Sequence, residues 1–221
     1  MLTRREFNTG VSVIAICAVA GLSAGPALAQ RSDTVPAAEL AKPSALGDVV
    51  LGKDDAPVTV IEYASMGCPH CAHFTLETFP KLKERYIDTG KVRYIFREFP
   101  LDPLAAAASM LMRCTDKDKF FPLMELLFKT QEQWYVRQPI EPLFNVVKQA
   151  GYSREAFNAC LDTKNNADSK KILSAIESTR NDAADKLGVN STPTFFINGK
   201  RVAGALSIEE LEKEMAPYLK A

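Results

Sequence analysis

The chain has 221 residues, which is enough for one large domain or for one domain with a sizeable insertion. Apolar residues make up 47% of it, so a hydrophobic core can form without help from disulfides. The 27 basic residues balance the 27 acidic ones, and this balance argues against nucleic acid or an anionic membrane surface as a partner.

Residues 1–29 are typical of a signal peptide rather than of folded structure. A basic start, MLTRREF, precedes an apolar run from Gly10 to Leu22, and Ala27-Leu28-Ala29 matches an A-x-A cleavage site. The run is short for a bilayer span, which makes an uncleaved anchor the weaker alternative. The pair Arg4-Arg5 also resembles a twin-arginine signal, so the export route stays open. We expect residues 30–47, rich in Ala, Pro and Ser, to form a flexible lead-in.

Strand and helix patterns alternate over residues 48–101. Short or β-branched apolar runs predict strands at 49–51, 57–63 and 92–99, and a helical pattern extends from about 68 to 86. Pro69 falls early in that helix, where its missing N–H costs nothing. The motif Cys-Pro-His-Cys therefore lies at the junction of a buried strand and a helix.

Residues 102–187 have helical periodicity throughout. The candidate helices are 103–114, 118–132, 140–150, 153–162 and 166–187. Residue patterns typical of strands return at 194–197 and 200–203. These two strands are joined by Asn198-Gly199, a pair typical of a type I′ hairpin. Ser207 and Glu210 form a capping box for a last helix that ends near Leu219. We predict an α/β fold in which 48–101 and 188–221 form one sheet domain and 102–187 form an inserted helical domain.

The cysteines of the Cys-Pro-His-Cys motif are placed for disulfide exchange. Cys68 falls at a helix N-terminus, where unpaired N–H groups and the helix dipole favour the thiolate. The thiolate is the nucleophile in exchange, and a low pKa also makes the sulfur a good leaving group. His70 adds a donor or a positive charge near this sulfur. Cys71 lies one helical turn away, within reach of a disulfide, and we expect it to act as the resolving thiol.

Two other uses of the pair have less support. A structural disulfide across so short a ring would restrain the unfolded chain little. Zinc needs about four ligands, and the motif supplies two. His70 lies inside the motif, and we interpret His73 as a histidine on the helix surface. We therefore expect no metal site.

Two stretches of sequence together carry a family resemblance. They are 60–71, VIEYASMGCPHC, and 188–199, GVNSTPTFFING. This combination resembles the DsbA-type thiol–disulfide oxidoreductases of the bacterial periplasm, over about residues 48 to 220. The resemblance implies a thioredoxin fold with an inserted helical domain, a low-pKa and strongly oxidising cysteine pair, a periplasmic location and no bound cofactor.

The same resemblance implies roles for three further residues. Pro193 matches a cis-proline that faces the cysteine pair, and the backbone of Thr192 would hydrogen-bond an extended substrate segment beside Cys68. Glu62 matches a buried acid that moves a proton to or from the inner cysteine, a task that suits a buried carboxylate with a raised pKa. On composition alone, Glu62 also fits a half-exposed strand residue.

Cys114 and Cys160 fall on different predicted helices of the insertion. They resemble a second, non-catalytic pair that some members of the family contain, and a bond between them would be a structural disulfide. Two free buried thiols are the alternative, which export to an oxidising compartment argues against.

The leading hypothesis is an exported thiol oxidase that introduces disulfides into unfolded or partly folded exported proteins. As the resemblance implies, a quinone-linked membrane protein would reoxidise it. A disulfide reductase or isomerase of the same fold is the alternative, because threonine before the cis-proline is usual in related isomerases, whereas the best-known member of the family has valine there. Against an isomerase, the short lead-in provides no dimerisation domain, and we expect a monomer. A non-enzymatic holdase that uses the groove near Met66 and Pro193 is the third hypothesis.

Overall fold

The computed structural model of the protein describes residues 33–219, so the predicted signal peptide lies outside the described residues. In this part of the chain, five strands form one mixed sheet in the order β1-β3-β2-β4-β5. Their bounds are β1 Val49–Leu51, β2 Val58–Ala64, β3 Val92–Glu98, β4 Thr194–Ile197 and β5 Lys200–Ala203. β2 is the central strand, parallel to β3 and antiparallel to β4. The predicted strands and their turn residues are confirmed.

Most helices lie between β3 and β4 in the sequence. The α-helices are α1 Ala37–Leu40, α2 Pro69–His73, α3 Phe79–Leu82, α4 Pro103–Arg113, α5 Phe120–Lys129, α6 Gln131–Trp134, α7 Ile140–Val147, α8 Arg154–Leu161, α9 Ala167–Leu187 and α10 Ile208–Leu219. This order confirms the predicted α/β fold with helices inserted between two halves of a sheet, whereas the domain boundaries at 102 and 188 stay a prediction. None of the helices in residues 33–219 combines the length and apolarity that crossing a membrane requires.

The helix expected over residues 68–86 is not a continuous α-helix. Between α2 and α3 and again after α3, the backbone widens into π-helical turns at Phe74–Thr78 and Lys83–Ile87. The N–H of Phe79 bonds the carbonyl of Phe74, five residues back. Pro80 follows directly and has no N–H to give, so the regular ladder loses a bond at this point.

The flexible lead-in expected over residues 30–47 is wrong for the part that the structure describes. Arg97, only 3% exposed, donates to the carbonyls of Leu40 and Lys42 and forms an ion pair of 2.8 Å with Asp48. A buried guanidinium needs acceptors for its fixed fork of donors, and this segment supplies them. Leu40 at the end of α1 is itself buried against the sheet.

The sheet has apolar side chains on both faces, so β2 is buried except at the half-buried Thr59. Val60 and Ala64 point to the face covered by α2 and the inserted helices, and Ile61 and Tyr63 point to the face covered by α1 and α9. Strand alternation places Glu62 on the first of these faces, inside the main core. The central strand therefore carries a carboxylate into the hydrophobic interior.

Cys114 and Cys160 form a disulfide in which the Cα atoms are 6.1 Å apart. Cys114 follows the last residue of α4, and Cys160 lies in α8. The bond therefore joins two helices of the inserted region and is the pairing that the family resemblance implies.

Replacing both of these cysteines with alanine should lower the free energy of unfolding by about 4 kcal/mol, because the bond closes a loop of roughly 47 residues. Urea unfolding of the two proteins, with Cys68 and Cys71 in the same redox state, measures the difference. The exchange rate of Cys68 with glutathione should stay unchanged. An unaltered unfolding midpoint would show that the disulfide contributes nothing to stability.

Candidate active site

Cys68 lies just beyond the end of the central strand β2. The carbonyl of Ser65 accepts a hydrogen bond of 3.0 Å from the N–H of Cys68, which turns the chain. Cys68 then caps α2, with its carbonyl bonded to the N–H of Ala72 at 3.1 Å and Pro69 at the first helical position. Proline suits that position because its missing N–H would have no partner there. The sulfur is thereby held at a helix N-terminus, as the sequence predicts.

The surroundings of Cys68 favour its anion. The pKa of Cys68 is lowered from its ordinary 9.0 to about 5, and a hydrogen bond from the Cys71 thiol has the largest effect, although burial acts in the opposite direction. Thr192 and the backbone N–H groups of Cys71 and His70 also contribute to this lowering. The Thr192 hydroxyl makes no hydrogen bond of ordinary geometry to a described residue, so we regard Cys71 as the dominant donor. At neutral pH Cys68 is therefore a thiolate.

Cys71 carries the inner sulfur, and its surroundings favour the neutral thiol rather than the thiolate. It is fully buried, and this burial raises the pKa of its thiol well above 9.0. The hydrogen bond to Cys68 and the negative charges of Glu62 and Cys68 raise it further. Both cysteines are unbonded in this structure. In this dithiol form the pair therefore holds one thiolate and one thiol, with the thiolate on the more accessible residue.

Glu62 lies fully buried beside the inner cysteine, so the half-exposed alternative is wrong. Burial raises the pKa of Glu62 to about 8, the Tyr94 hydroxyl lowers it by hydrogen bonding to Oε2, and the charge of Cys68 raises it. Its other oxygen, Oε1, is buried and has no hydrogen-bond partner among residues 33–219. A carboxyl group with such a pKa can hold or release a proton near neutral pH.

The peptide bond between Thr192 and Pro193 is cis, and the loop that contains it faces Cys68. The Thr192 carbonyl lies 3.2 Å from the Cys68 sulfur and accepts a hydrogen bond from it when Cys68 is protonated. The Pro193 carbonyl is bonded to the N–H of Gly204 at 2.9 Å, which fixes the loop against the end of β5. The loop and the cysteine motif thus meet where β2 ends and β4 begins, as the resemblance implies.

The two histidines have little contact with the rest of the site. Both His70 and His73 are exposed on α2, and the first of them contributes a backbone N–H near the Cys68 sulfur. Residues 33–219 hold no group of three or more His, Cys, Asp or Glu side chains placed to bind a metal ion. A role for the His70 side chain stays a prediction.

Sequence reasoning missed the residues that the inserted helices bring to the site. The amide of Gln131 in α6 donates to the carbonyls of Met66 and Cys68, at 2.7 and 3.2 Å. The ring of Tyr135 lies over Gly67, where an added Cβ would come within 2.6 Å of it, and the Tyr135 hydroxyl bonds Asp102 at 2.8 Å. These contacts join residues that are far apart in the sequence, and no local pattern signals them.

Comparisons with known proteins agree with this geometry. A family model described as thioredoxin matches residues 44–215. Disulfide bond formation protein D of Bacillus subtilis is 32% identical over 186 residues, which cover 81% of this chain and 80% of that protein. The crystal structure of alpha-DsbA1 from Wolbachia pipientis has a TM-score of 0.71 and 33% sequence identity, covering 78% of this chain and 91% of that one.

Some relatives are longer than this chain. A Rickettsia bellii protein whose name describes a protein-disulfide oxidoreductase is 34% identical over 154 residues, or 69% of this chain. The matched part is only 57% of that protein's own length. The activity of the whole Rickettsia protein therefore cannot be transferred directly to this chain.

The reduced protein should show a thiolate absorbance at 240 nm that titrates with a midpoint near pH 5. Cys71→Ala should raise the midpoint by about one unit or more, because it removes the donor with the largest effect on the pKa of Cys68. His73→Ala is the control and should leave it unchanged. Since this pKa lies below its unfolded value, ionisation stabilises the folded dithiol form above about pH 9 and loses this effect as the pH falls through about 5.

Gln131→Ala should lower the free energy of unfolding by about 1–2 kcal/mol, because two carbonyls beside Cys68 lose a donor. It should also slow the exchange of Cys68 with glutathione several-fold, since the turn that holds the sulfur is less fixed. Gln149→Ala is the matched control, because Gln149 also donates to a carbonyl, that of Asn145, within a helical segment. Equal effects of the two substitutions on exchange would contradict the role given to Gln131.

Proposed function

Since the chain belongs to the DsbA-type family of thioredoxin-fold thiol–disulfide oxidoreductases, we propose that it is a protein-disulfide oxidase. In this proposal the oxidised enzyme carries a Cys68–Cys71 disulfide and gives it to reduced proteins. The two sulfurs carry the electrons, so the exchange itself uses no further group.

The difference in ionisation between Cys68 and Cys71 supports this proposal most strongly. A disulfide is a stronger oxidant when its reduced form is more stable, and a stabilised thiolate stabilises the reduced form. With a pKa of about 5, Cys68 is ionised at neutral pH and is a good leaving group. Cys71, with its raised pKa, stays behind as a buried thiol.

In the first step a substrate thiolate attacks the Sγ atom of Cys68. A bond forms between the two sulfurs, the Cys68–Cys71 bond breaks, and Cys71 leaves as a thiolate. The carboxyl group of Glu62 gives this thiolate a proton, because a buried anion is costly and the pKa of Glu62, about 8, leaves it mostly protonated at pH 7.

In the second step another thiolate of the same substrate attacks the substrate sulfur of the mixed disulfide. The new substrate disulfide forms, and Cys68 leaves as a thiolate. In the oxidised enzyme and in the mixed disulfide the Cys68 sulfur carries no proton, so the Thr192 carbonyl, which accepts from the Cys68 thiol in the dithiol form, is open to an N–H of an extended substrate segment. Pairing of this kind uses backbone groups alone and tolerates many substrate sequences.

We place this activity in the periplasm, on proteins that are unfolded or partly folded after export. The signal-like residues 1–29 and the Cys114–Cys160 disulfide support this location, since disulfides persist in oxidising compartments. Completion of the cycle requires an oxidant for the dithiol, and we assign that role to a quinone-linked membrane protein. The proposed enzyme works as a monomer.

One observation favours a second candidate, a reductase or isomerase of the same fold. Threonine precedes the cis-proline, and its position next to Cys68 lets it affect the pKa of the sulfur. In such an enzyme the pair would be kept reduced, and the Cys68 thiolate would attack disulfides of the substrate.

The equilibrium potential of the Cys68–Cys71 pair separates these candidates. For an oxidase we expect a value near the roughly −120 mV of strongly oxidising pairs, whereas the value for thioredoxin is about −270 mV. Equilibration of the purified protein with glutathione buffers, followed by alkylation and mass measurement, gives the potential. A value near that of thioredoxin would overturn the oxidase proposal in favour of the reductase or isomerase.

Cys68→Ser is the control for enzymatic function. It should abolish oxidation of a reduced, unfolded test protein, whereas a holdase would keep such a protein from aggregating with or without this sulfur. Retained protection together with no exchange activity in the unsubstituted protein would favour the holdase.

A further inference from the structure

The carboxyl group of Glu62 has two oxygens in different environments. Oε2 accepts a hydrogen bond from the Tyr94 hydroxyl, while Oε1 is buried and has no partner among the described residues. Both side chains are fully buried. An unsatisfied buried oxygen is costly, so its presence beside a reactive cysteine calls for a functional explanation.

The hydroxyl of Tyr94 is held in place from several sides. Tyr94 lies in β3 opposite Val60 of β2, which puts it on the same face of the sheet as Glu62. Its ring packs against Phe79 of α3 and Phe121 of α5, with centroid distances of 5.0 and 6.1 Å. The hydroxyl therefore has little freedom to turn away from the carboxyl group.

We propose that Tyr94 is a positioning residue that holds Glu62 through Oε2, so that Oε1 carries the proton exchanged with Cys71. When Cys71 leaves as a thiolate, Oε1–H gives its proton to that sulfur, and the Tyr94 O–H stabilises the carboxylate that remains. When Cys71 attacks a mixed disulfide in the reverse direction, the carboxylate takes the proton of its thiol. This inference rests on the proposed function.

Among the described residues, few ionisable groups interact with the Glu62 carboxyl group. Cys68 and Cys71 lie in the motif and α2, and Tyr94 lies in β3. From α5, Glu125 acts on Tyr94, and the neighbour of Glu62 in β4 is the apolar Phe195. The Tyr94 hydrogen bond lowers the pKa of Glu62, so removing the hydroxyl raises it.

The decisive substitution is Tyr94→Phe, which keeps the ring and removes the hydroxyl. A mixed disulfide between Cys68 and glutathione is allowed to close by attack of Cys71, and its rate is followed between pH 6 and 10 by acid quench and mass measurement. We expect an inflection near pH 8 in the unsubstituted protein and a shift of about one unit or more upward in Tyr94→Phe. Closure at pH 7 should be several-fold slower.

Tyr86→Phe is the matched control, because the Tyr86 hydroxyl also bonds a glutamate, Glu212, at 3.0 Å, in another part of the fold. Tyr86→Phe should leave the pH dependence of the closure rate unchanged. Glu62→Gln should abolish the inflection, and Tyr94→Phe should have no further effect when combined with Glu62→Gln. The midpoint of the Cys68 thiolate absorbance should be the same with and without the Tyr94 hydroxyl.

Two results would overturn the role of Tyr94 and leave the proposed function intact. One is an unshifted profile in Tyr94→Phe. The other is that Tyr94→Phe slows closure of the mixed disulfide by the same factor whether or not Glu62→Gln is also present, which would show a merely structural effect. If the unsubstituted protein does not close the mixed disulfide at all, it is the proposed function that fails.

Discussion

The hydrogen bond between the two thiols of the Cys-x-x-Cys motif is the interaction on which the chemistry of the site depends. It runs from Cys71 to Cys68, and it lowers the pKa of one sulfur while raising that of the other. Its direction is set by burial, because the fully enclosed Cys71 cannot bear a charge and must keep its proton to donate. The strand that ends at Ala64 and the helix that begins at Pro69 fix which sulfur is enclosed. Cys68 is the more accessible of the two sulfurs, which is why the proposed exchange begins there.

Three charged residues are buried in the described part of the chain, and two of them have an oppositely charged partner. Arg97 forms an ion pair with Asp48, and Glu98 forms one with Arg113. Among residues 33–219, Glu62 has no cation beside it and only a tyrosine hydroxyl as partner. Removing a charge from water without an opposite charge favours the neutral form, which is why its pKa rises to about 8. A carboxylate that served stability alone would gain from an arginine at this position.

The sequence was informative wherever the signal was local. β-branched runs predicted β2 and β3, the Asn198-Gly199 pair predicted the hairpin, and the strand-to-helix junction predicted the thiolate at Cys68. The role of Tyr94 was not predictable, since it depends on the register between β2 and β3 and on which face both residues share. The docking of residues 33–47 was missed for a similar reason. Their composition is that of a linker, and only the buried Arg97, far along the chain, makes their carbonyls part of the fold.

The inserted helices contribute to the site through contacts with its backbone and with Tyr94, whose hydroxyl bonds the buried carboxyl group. Gln131 binds the carbonyls on either side of Gly67, and the Tyr135 ring leaves no room for a side chain there. Phe121, on α5, packs against the ring whose hydroxyl holds Glu62. A change in how these helices rest on the sheet would therefore alter the turn that carries Cys68 and the carboxyl group beside Cys71 together. Because Cys68 and Glu62 depend on the same supports, the proposed catalytic unit includes the inserted helices, and their residues should be counted with those of the motif.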